Sequence, residues 1–362
     1  MPDGSENKNP MSTRRGILIF LLLAAMAVVF WKRSLIRQLF SKPQKKSEPR
    51  MPQPYIAGTP KSRVGVAGGA SVEEMIRTAV SHIGGFDRFD LKGKTVLVKP
   101  NVVSDKPSPS TTNPEVVGAV ARILYEEGAK KVFVGDMSAA FYLTTLSNMN
   151  RTGIKKAAQE AGAETIAFED YGWVEMDIPK ARFKKVLVTE WIDRVDFFLN
   201  LPVIKTHRSA SYSICLKNFI GCTHIRQRPY LIDSSRWEEV VAELNLAYRP
   251  DLNIVDGTVS MIEGGPWQGT PQETSLIIAS TDRVAADVVG LGVIKAFRKW
   301  KKVNEKGVWE QTQIRRALEL GIGRGKEEIV LLDSGRTAEF KELMNKVREE
   351  TGLSASKTAE SI

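Results

Sequence analysis

The chain has 362 residues, 42% of them hydrophobic and 26% charged, with 28 Gly and 17 Pro along its length. That profile excludes a disordered chain and predicts a sizeable core in one large or two smaller domains. Two cysteines exclude an intrinsic four-cysteine iron–sulfur cluster or four-thiolate zinc site. The formal net charge of +10 points at first to nucleic acid or an anionic membrane.

The charge is concentrated at one end. Residues 1–61 hold 11 Lys and Arg against three acids, which leaves 41 against 39 in the rest of the chain. The folded part is therefore near neutral, and no nucleic-acid partner is expected of it. Residues 1–15 read as a basic region. Residues 16–31, GILIFLLLAAMAVVFW, form an uncharged run between Arg15 and Lys32. As a helix it would reach about 24 Å, and snorkelling of Arg15, Lys32 and Arg33 would make up the remainder of a roughly 30 Å hydrocarbon core. The expectation is a single N-terminal membrane helix acting as a signal-anchor, with Ala25-Met26-Ala27 as the alternative, a cleavage site that would release it.

Two signals disagree about the side of the membrane. Thr13-Arg14-Arg15 before the apolar run is twin-arginine-like, which suggests an extracytoplasmic domain. The seven basic residues between Lys32 and Arg50 favour the cytoplasm by the positive-inside rule. Residues 32–61 are basic and Pro-rich and read as a linker lying against anionic headgroups.

From residue 62 to about 350 short β-branched runs alternate with amphipathic windows. A strand is predicted at Arg63–Ala67, then a helix opened by the Ser71-Val-Glu-Glu74 capping box and closed at Gly84-Gly85. Thr95–Val98 reads as a buried strand, and Asn113-Pro114 as the N-cap and first residue of a helix running to Gly128. Strands follow at Lys131–Gly135, Glu164–Phe168, Phe197–Leu201, Leu252–Val255, Ser275–Ala279 and Glu328–Leu332. Helices are expected around 151–161, 236–248, 283–300, 308–320 and 338–350, and residues 351–362 as a polar tail. The alternation predicts an α/β fold: a mostly parallel sheet with helices on both faces, in one domain or two lobes.

In such sheets ligands collect beyond the carboxyl ends of the strands. Lys99 and Asn101 follow one strand there, and Asp136 another. Lys205, Thr206 and His207 follow the run Asn200–Ile204, with Lys217 and Asn218 a turn or two further on. Lysines and amides converging on one edge suit a small anionic molecule, with Lys205, His207 and Asp136 as candidate catalytic groups and Lys99, Asn101, Thr206, Lys217 and Asn218 as binding groups. Gly264 and Gly265 would let backbone amides approach the ligand. Asp256 and Glu263, with His207, are a candidate divalent-metal set, although their spacing fits no standard metal motif. His82 reads as a helix-end cation, His224 as part of a basic surface run, Asp282 as a helix cap, and Cys215 and Cys222 as either packed thiols or, if the helix between them ends early, a disulfide.

The ordered motifs VLVKPNVV, LPVIKTH, KNFIG, NIVDG, EGGPWQGTP and STDRVAAD resemble the "domain of unknown function 362" family over roughly residues 62–335. The resemblance implies no established reaction. It does imply members often joined to ferredoxin-like modules or carrying export signals; the module is absent from this sequence, so an electron-transfer role would need a redox partner protein. The expectation is a membrane-anchored enzyme acting on a small anionic substrate. The alternative is a non-catalytic ligand-binding or redox-partner protein of the cell envelope.

Overall fold

A computed structural model describes residues 45–46, 61–69, 71–142, 144–228 and 233–354. The expected membrane helix at 16–31, most of the linker and the end of the tail lie outside the described residues. Among those residues no helix is long and apolar enough to cross a membrane.

Thirteen strands are described: β1 (Lys45–Lys46), β2 (Ser62–Gly68), β3 (Thr95–Pro100), β4 (Lys131–Asp136), β5 (Glu164–Ala167), β6 (Trp173–Asp177), β7 (Lys185–Thr189), β8 (Phe197–Leu201), β9 (Val203–His207), β10 (Ser211–Ser213), β11 (Leu252–Gly264), β12 (Gly269–Ser280) and β13 (Ile329–Ser334). The main sheet runs β13-β2-β12-β11-β8-β3-β4-β5, with β9 added beside β11 and β10 beside β9. The β5-β4-β3-β8-β11 run is parallel, as is the β13-β2 pair.

Burial on both sides explains the lack of alternation in these strands. In β3, Leu97 enters one hydrophobic core while Val96 and Val98 enter the other. Helices Val72–His82, Pro114–Glu126 and Ile154–Glu160 cover the second face. Helices Trp237–Leu244, Arg283–Ala296, Thr312–Glu319 and Ala338–Thr351 cover the first. The expected α/β sandwich is present.

Local signals explain the helix starts. Asn113 Oδ1 accepts from the Glu115 amide at 3.0 Å with Pro114 in the first turn. Asp282 Oδ1 caps Val284 and Ala285, while its Oδ2 accepts from Ser62 Oγ and the Arg324 amide, which ties the cap to the sheet edge.

The structure departs from the sequence expectation at several elements: Lys205, Thr206 and His207, expected after a strand, are residues of β9 itself, and β10 beside it is an added strand. The strands expected at 252–255 and 275–279 are the inner halves of a long hairpin, and β12 is antiparallel to both β2 and β11. Its outer half is polar and exposed, so nothing in the hydrophobic pattern marks it. The helix expected at 151–161 is two, Thr145–Arg151 and Ile154–Glu160, broken at Gly153. A second sheet, β1-β6-β7, escapes the pattern because its strands have five residues or fewer.

The cap at Asn113 also touches the hairpin, since its Nδ2 donates to Thr258 Oγ1. Asn113→Ala should therefore lower unfolding free energy by about 1–2 kcal/mol in urea titrations. A change below about 0.3 kcal/mol would show that the helix start is held by its packing alone.

Candidate functional site

The carboxyl ends of β3 and β4 carry a buried ion pair. Lys99 is completely buried, its Nζ 2.7 Å from Asp136 Oδ1, and it also donates to Asn218 Oδ1 at 3.2 Å and to the Pro100 carbonyl at 3.1 Å. Asp136 accepts the amides of Val102 and Met137 at 2.7 and 2.8 Å, so both of its oxygens are held from three directions. Asn218 binds the other end of the network. Its Oδ1 accepts from Asn101 Nδ2, and its Nδ2 donates to the Lys99 carbonyl and to Asn200 Oδ1. Asn200 passes the chain on to Asn253. Gly221 packs over the ion pair, where a Cβ would overlap Asp136 Oδ1 and Lys99 Nζ.

Above this floor lies a cavity of about 410 Å³, walled by Lys99, Asn101, Asp136, His207, Lys217 and Asn218 together with Met137, Phe141, Arg228, Trp237 and Trp267. Six sequence-predicted residues thus meet around one space. A larger cavity of about 690 Å³ lies elsewhere, beside Asp282 and Arg283, and contains none of them. The smaller cavity is the better candidate because the strand ends and their titratable groups converge on it.

The lysines have different surroundings. Lys99 is paired. Lys205 is buried in β9 behind Asn101, and its Nζ donates to Asn101 Oδ1 at 2.6 Å and to the Ser110 carbonyl at 2.5 Å. Burial, then the Lys217 and Lys99 charges, hold its amine well below the usual lysine range, with Asp136 acting in the opposite direction. Lys217 is half-buried in the cavity wall and has no hydrogen bond or ion pair among the described residues. Burial, followed by the charges of Arg228 and Lys99, brings its amine down to about 7.

His207 also lines the cavity. Its Nδ1 accepts from the amides of Ser209 and Ala210, both at 3.1 Å. That assigns the ring proton to Nε2. Burial and the neighbouring Lys217, Lys205 and Lys302 charges push its pKa well below the ordinary histidine value, so the ring is a neutral donor.

The remaining expected residues are placed elsewhere. Thr206 is buried, its backbone paired with Tyr212, and it does not line the cavity. Gly264 and Gly265 form the β11-β12 turn. Gly265 has φ +79°, and a Cβ there would strike the Thr206 carbonyl, so its smallness serves strand packing rather than ligand approach. Asp256 and Glu263 do not form a metal set. Asp256 is buried and accepts from the Asn113 amide at 2.8 Å and from the amide and hydroxyl of Thr258. Glu263 is exposed, hydrogen-bonded to Thr270, seven residues and on the order of 20 Å further along the strand. Among the described residues no group of three or more His, Cys, Asp or Glu could hold a metal ion.

His82 is the last residue of its helix, as expected, but burial lowers its pKa and so disfavours the cation, with Asp333 acting in the opposite direction; its Nε2 meets Ser334 Oγ at 2.9 Å. His224 is fully buried, its Nδ1 accepting from the Arg226 amide and its ring edge-on to Trp173. Cys215 and Cys222 are free, buried thiols.

Sequence reasoning missed the residues that close the cavity. Arg228 is buried and donates to the Thr223 and Met137 carbonyls, although it sits in a run that reads as surface. Asp287 is missed as well. From the helix Arg283–Ala296 it accepts the Cys215 amide at 2.6 Å and the Leu216 amide at 3.2 Å, holding the start of the segment that carries Lys217 and Asn218. Burial raises its carboxyl to about 7 despite those bonds. The signal available was its place five residues after the Asp282 cap, on a face that proves buried.

A family model described as Domain of unknown function (DUF362) matches residues 96–292. A thylakoid-associated protein of Synechocystis sp. is 30% identical over 221 residues, 59% of this chain and 67% of that protein. The lactate racemase apoprotein of Thermoanaerobacterium thermosaccharolyticum aligns over 85% of this chain and 89% of its own, with TM-score 0.39 and 12% identity.

Two outcomes are expected. At pH 7 about half of the Lys217 amines should be unprotonated against ~0.04% of ordinary lysines, so limiting cyanate should carbamoylate Lys217 first by peptide mass spectrometry. Labelling spread evenly over surface lysines would contradict the assigned environment. Asp287→Ala should lower unfolding free energy by about 2–3 kcal/mol by stranding two buried amides; a variant as stable as the parent in denaturant titration would remove Asp287 from this role.

Proposed function

The chain belongs to the domain-of-unknown-function family DUF362, and from that premise we propose that it is an enzyme of general acid–base type acting on a small organic anion, held at a membrane by residues 16–31. The observation that carries the reading is Lys217. It is a half-buried amine without a partner among the described residues, poised near neutrality in the wall of the cavity.

The charge around the cavity supports an anion. Its walls include Lys99, Arg208, Lys217 and Arg228 against the single carboxylate of Asp136, and that carboxylate is committed to Lys99. Lys217 is held partly out of water with no counter-charge among the described residues, and a bound carboxylate or phosphate would offset part of that cost. Protonated Lys217 would hold the anion and, as general acid, give its proton to the substrate during the reaction and recover it later in the cycle. His207, as an Nε2–H donor, would stabilise negative charge developing on a substrate oxygen without changing its own charge. Lys99, Asp136 and Asn218 would act by fixing the floor.

The membrane element rests on the 16-residue apolar run and the basic linker, and the thylakoid association of the relative agrees with it. The non-catalytic alternative uses the same cavity and differs only in the absence of turnover.

Sulfate, whose charge is constant between pH 5 and 9, tests the site. Because the Lys217 amine loses its proton through about 7, sulfate affinity should be constant below that pH and fall by about tenfold per unit above it. Lys217→Met should bind weakly at every pH, and Lys217→Arg should bind without the alkaline fall. Equal calorimetric affinity of the parent and Lys217→Met at pH 6 would refute the assignment.

A further inference from the structure

We propose that the substrate is an amphiphile: an anionic head seated on the cavity floor, carried on an apolar chain that leaves between Phe141 and Trp267. The proposal rests on the anion-binding reading above and specifies its substrate class.

Among the described residues only three large hydrophobic side chains are exposed: Phe141 at 73%, Trp267 at 40% and Tyr171 at 37%. Two of the three line the same cavity. They come from distant segments, Phe141 from the turn Ala140–Tyr142 after β4 and Trp267 from the β11-β12 turn. The rings of Tyr142 and Trp267, 5.5 Å apart, join the two segments at the mouth. Exposed aromatic groups converging on one opening mark a surface that contacts something apolar.

The lining is mixed in polarity and in exposure. Lys99 and Asp136 are nearly or fully buried, whereas Phe141 and Trp267 are exposed, as are Arg208 and Ser209. The apolar part of the wall includes Val103, Met137, Ala140, Ile220 and Pro266. A small hydrophilic acid would use the floor and leave this apolar wall wet. An amphiphile would satisfy both, and at about 410 Å³ the cavity holds a head and a short stretch of chain, so a longer chain must emerge past the two rings. A domain tethered by the apolar run 16–31 would meet such molecules in the adjacent bilayer.

The test uses the full chain in amphipol, free of detergent and lipid, titrated calorimetrically at pH 6 with methyl, butyl and octyl phosphate below their aggregation limits. Affinity should rise about fourfold per methylene until the chain clears the rim, placing octyl phosphate at least about 100-fold tighter than methyl phosphate. The Phe141→Ser/Trp267→Ser double variant should lose most of that ratio, and Lys217→Met should weaken every member of the series. Methyl phosphate bound with no gain on lengthening would overturn the amphiphile proposal and leave the anion reading standing. A ratio unchanged in the double variant would also overturn it, because the chain would then lie elsewhere. If no alkyl phosphate binds the folded parent protein, the anion reading itself fails.

Discussion

The Lys99–Asp136 ion pair governs the architecture of the sheet edge. A buried lysine and a buried carboxylate each carry a large desolvation penalty, and their attraction offsets it only when the geometry is good and the remaining donors and acceptors are filled. Here they are filled by the amides of Val102 and Met137, the Asn218 amide group and the Pro100 carbonyl. That requirement reaches outward. Asn218 must sit within reach of both β3 and β8, so the segment Cys215–Asn218 must be pinned, and Asp287 pins it from the opposite helix. Gly221 must lack a side chain because the pair occupies the space one would fill. A requirement on two atoms thus fixes the course of the chain from Cys215 to Cys222, and with it the position of Lys217.

Once the pair is formed, the local electrostatics follow. Asp136 is committed to Lys99, so the lysines behind and beside it have no carboxylate of their own. Lys205 meets the deficit with two neutral acceptors, Asn101 Oδ1 and the Ser110 carbonyl. Lys217 has neither, and its pKa falls until the neutral form is populated near pH 7. His207 responds in the same direction, its ring kept uncharged among cations while two backbone amides orient it. Lys217 is thus a group in the cavity wall whose charge can change at ordinary pH, and its environment contributes as much to that property as its chemistry.

Much of this was legible in the sequence. The Asn113-Pro114 start and the Asp282 cap act through bonds to residues two or three positions away, and local chemistry of that kind is written in consecutive letters. The gathering of Lys99, Asn101, Asp136, His207, Lys217 and Asn218 was legible because parallel strands bring their carboxyl ends to one edge whatever their separation in the chain. The allocation of partners was not. Nothing in the letters distinguishes Lys99, Lys205 and Lys217, because an ion pair, a pair of neutral acceptors and an unfilled valence are all tertiary facts. Asp256 and Glu263 show the opposite failure: proximity in sequence suggested a common ligand, but a strand extends by more than 3 Å per residue and carried them apart. Gly264 and Gly265 resembled a ligand-facing loop because the demand for a missing Cβ is the same whether a phosphate or the Thr206 carbonyl makes it.

Net charge followed a similar course. The overall value of +10 is carried mainly by residues 1–61, and the folded part is close to balanced. Balance over a whole domain does not imply balance at a site. Surface pairs such as Arg324–Glu328 and Lys346–Glu342 cancel one another in water, where the arrangement contributes little to stability. Of the cations that line the cavity, Lys99 and Arg228 are buried and Lys217 is half-buried, and the carboxylate described beside them is that of Asp136. A small charge excess of this kind disappears in a domain total, yet the low dielectric of the cavity amplifies its effect on a ligand. Recognition of an anion by this fold would therefore depend on where a few cations are buried and not on the larger charge at the N-terminal end.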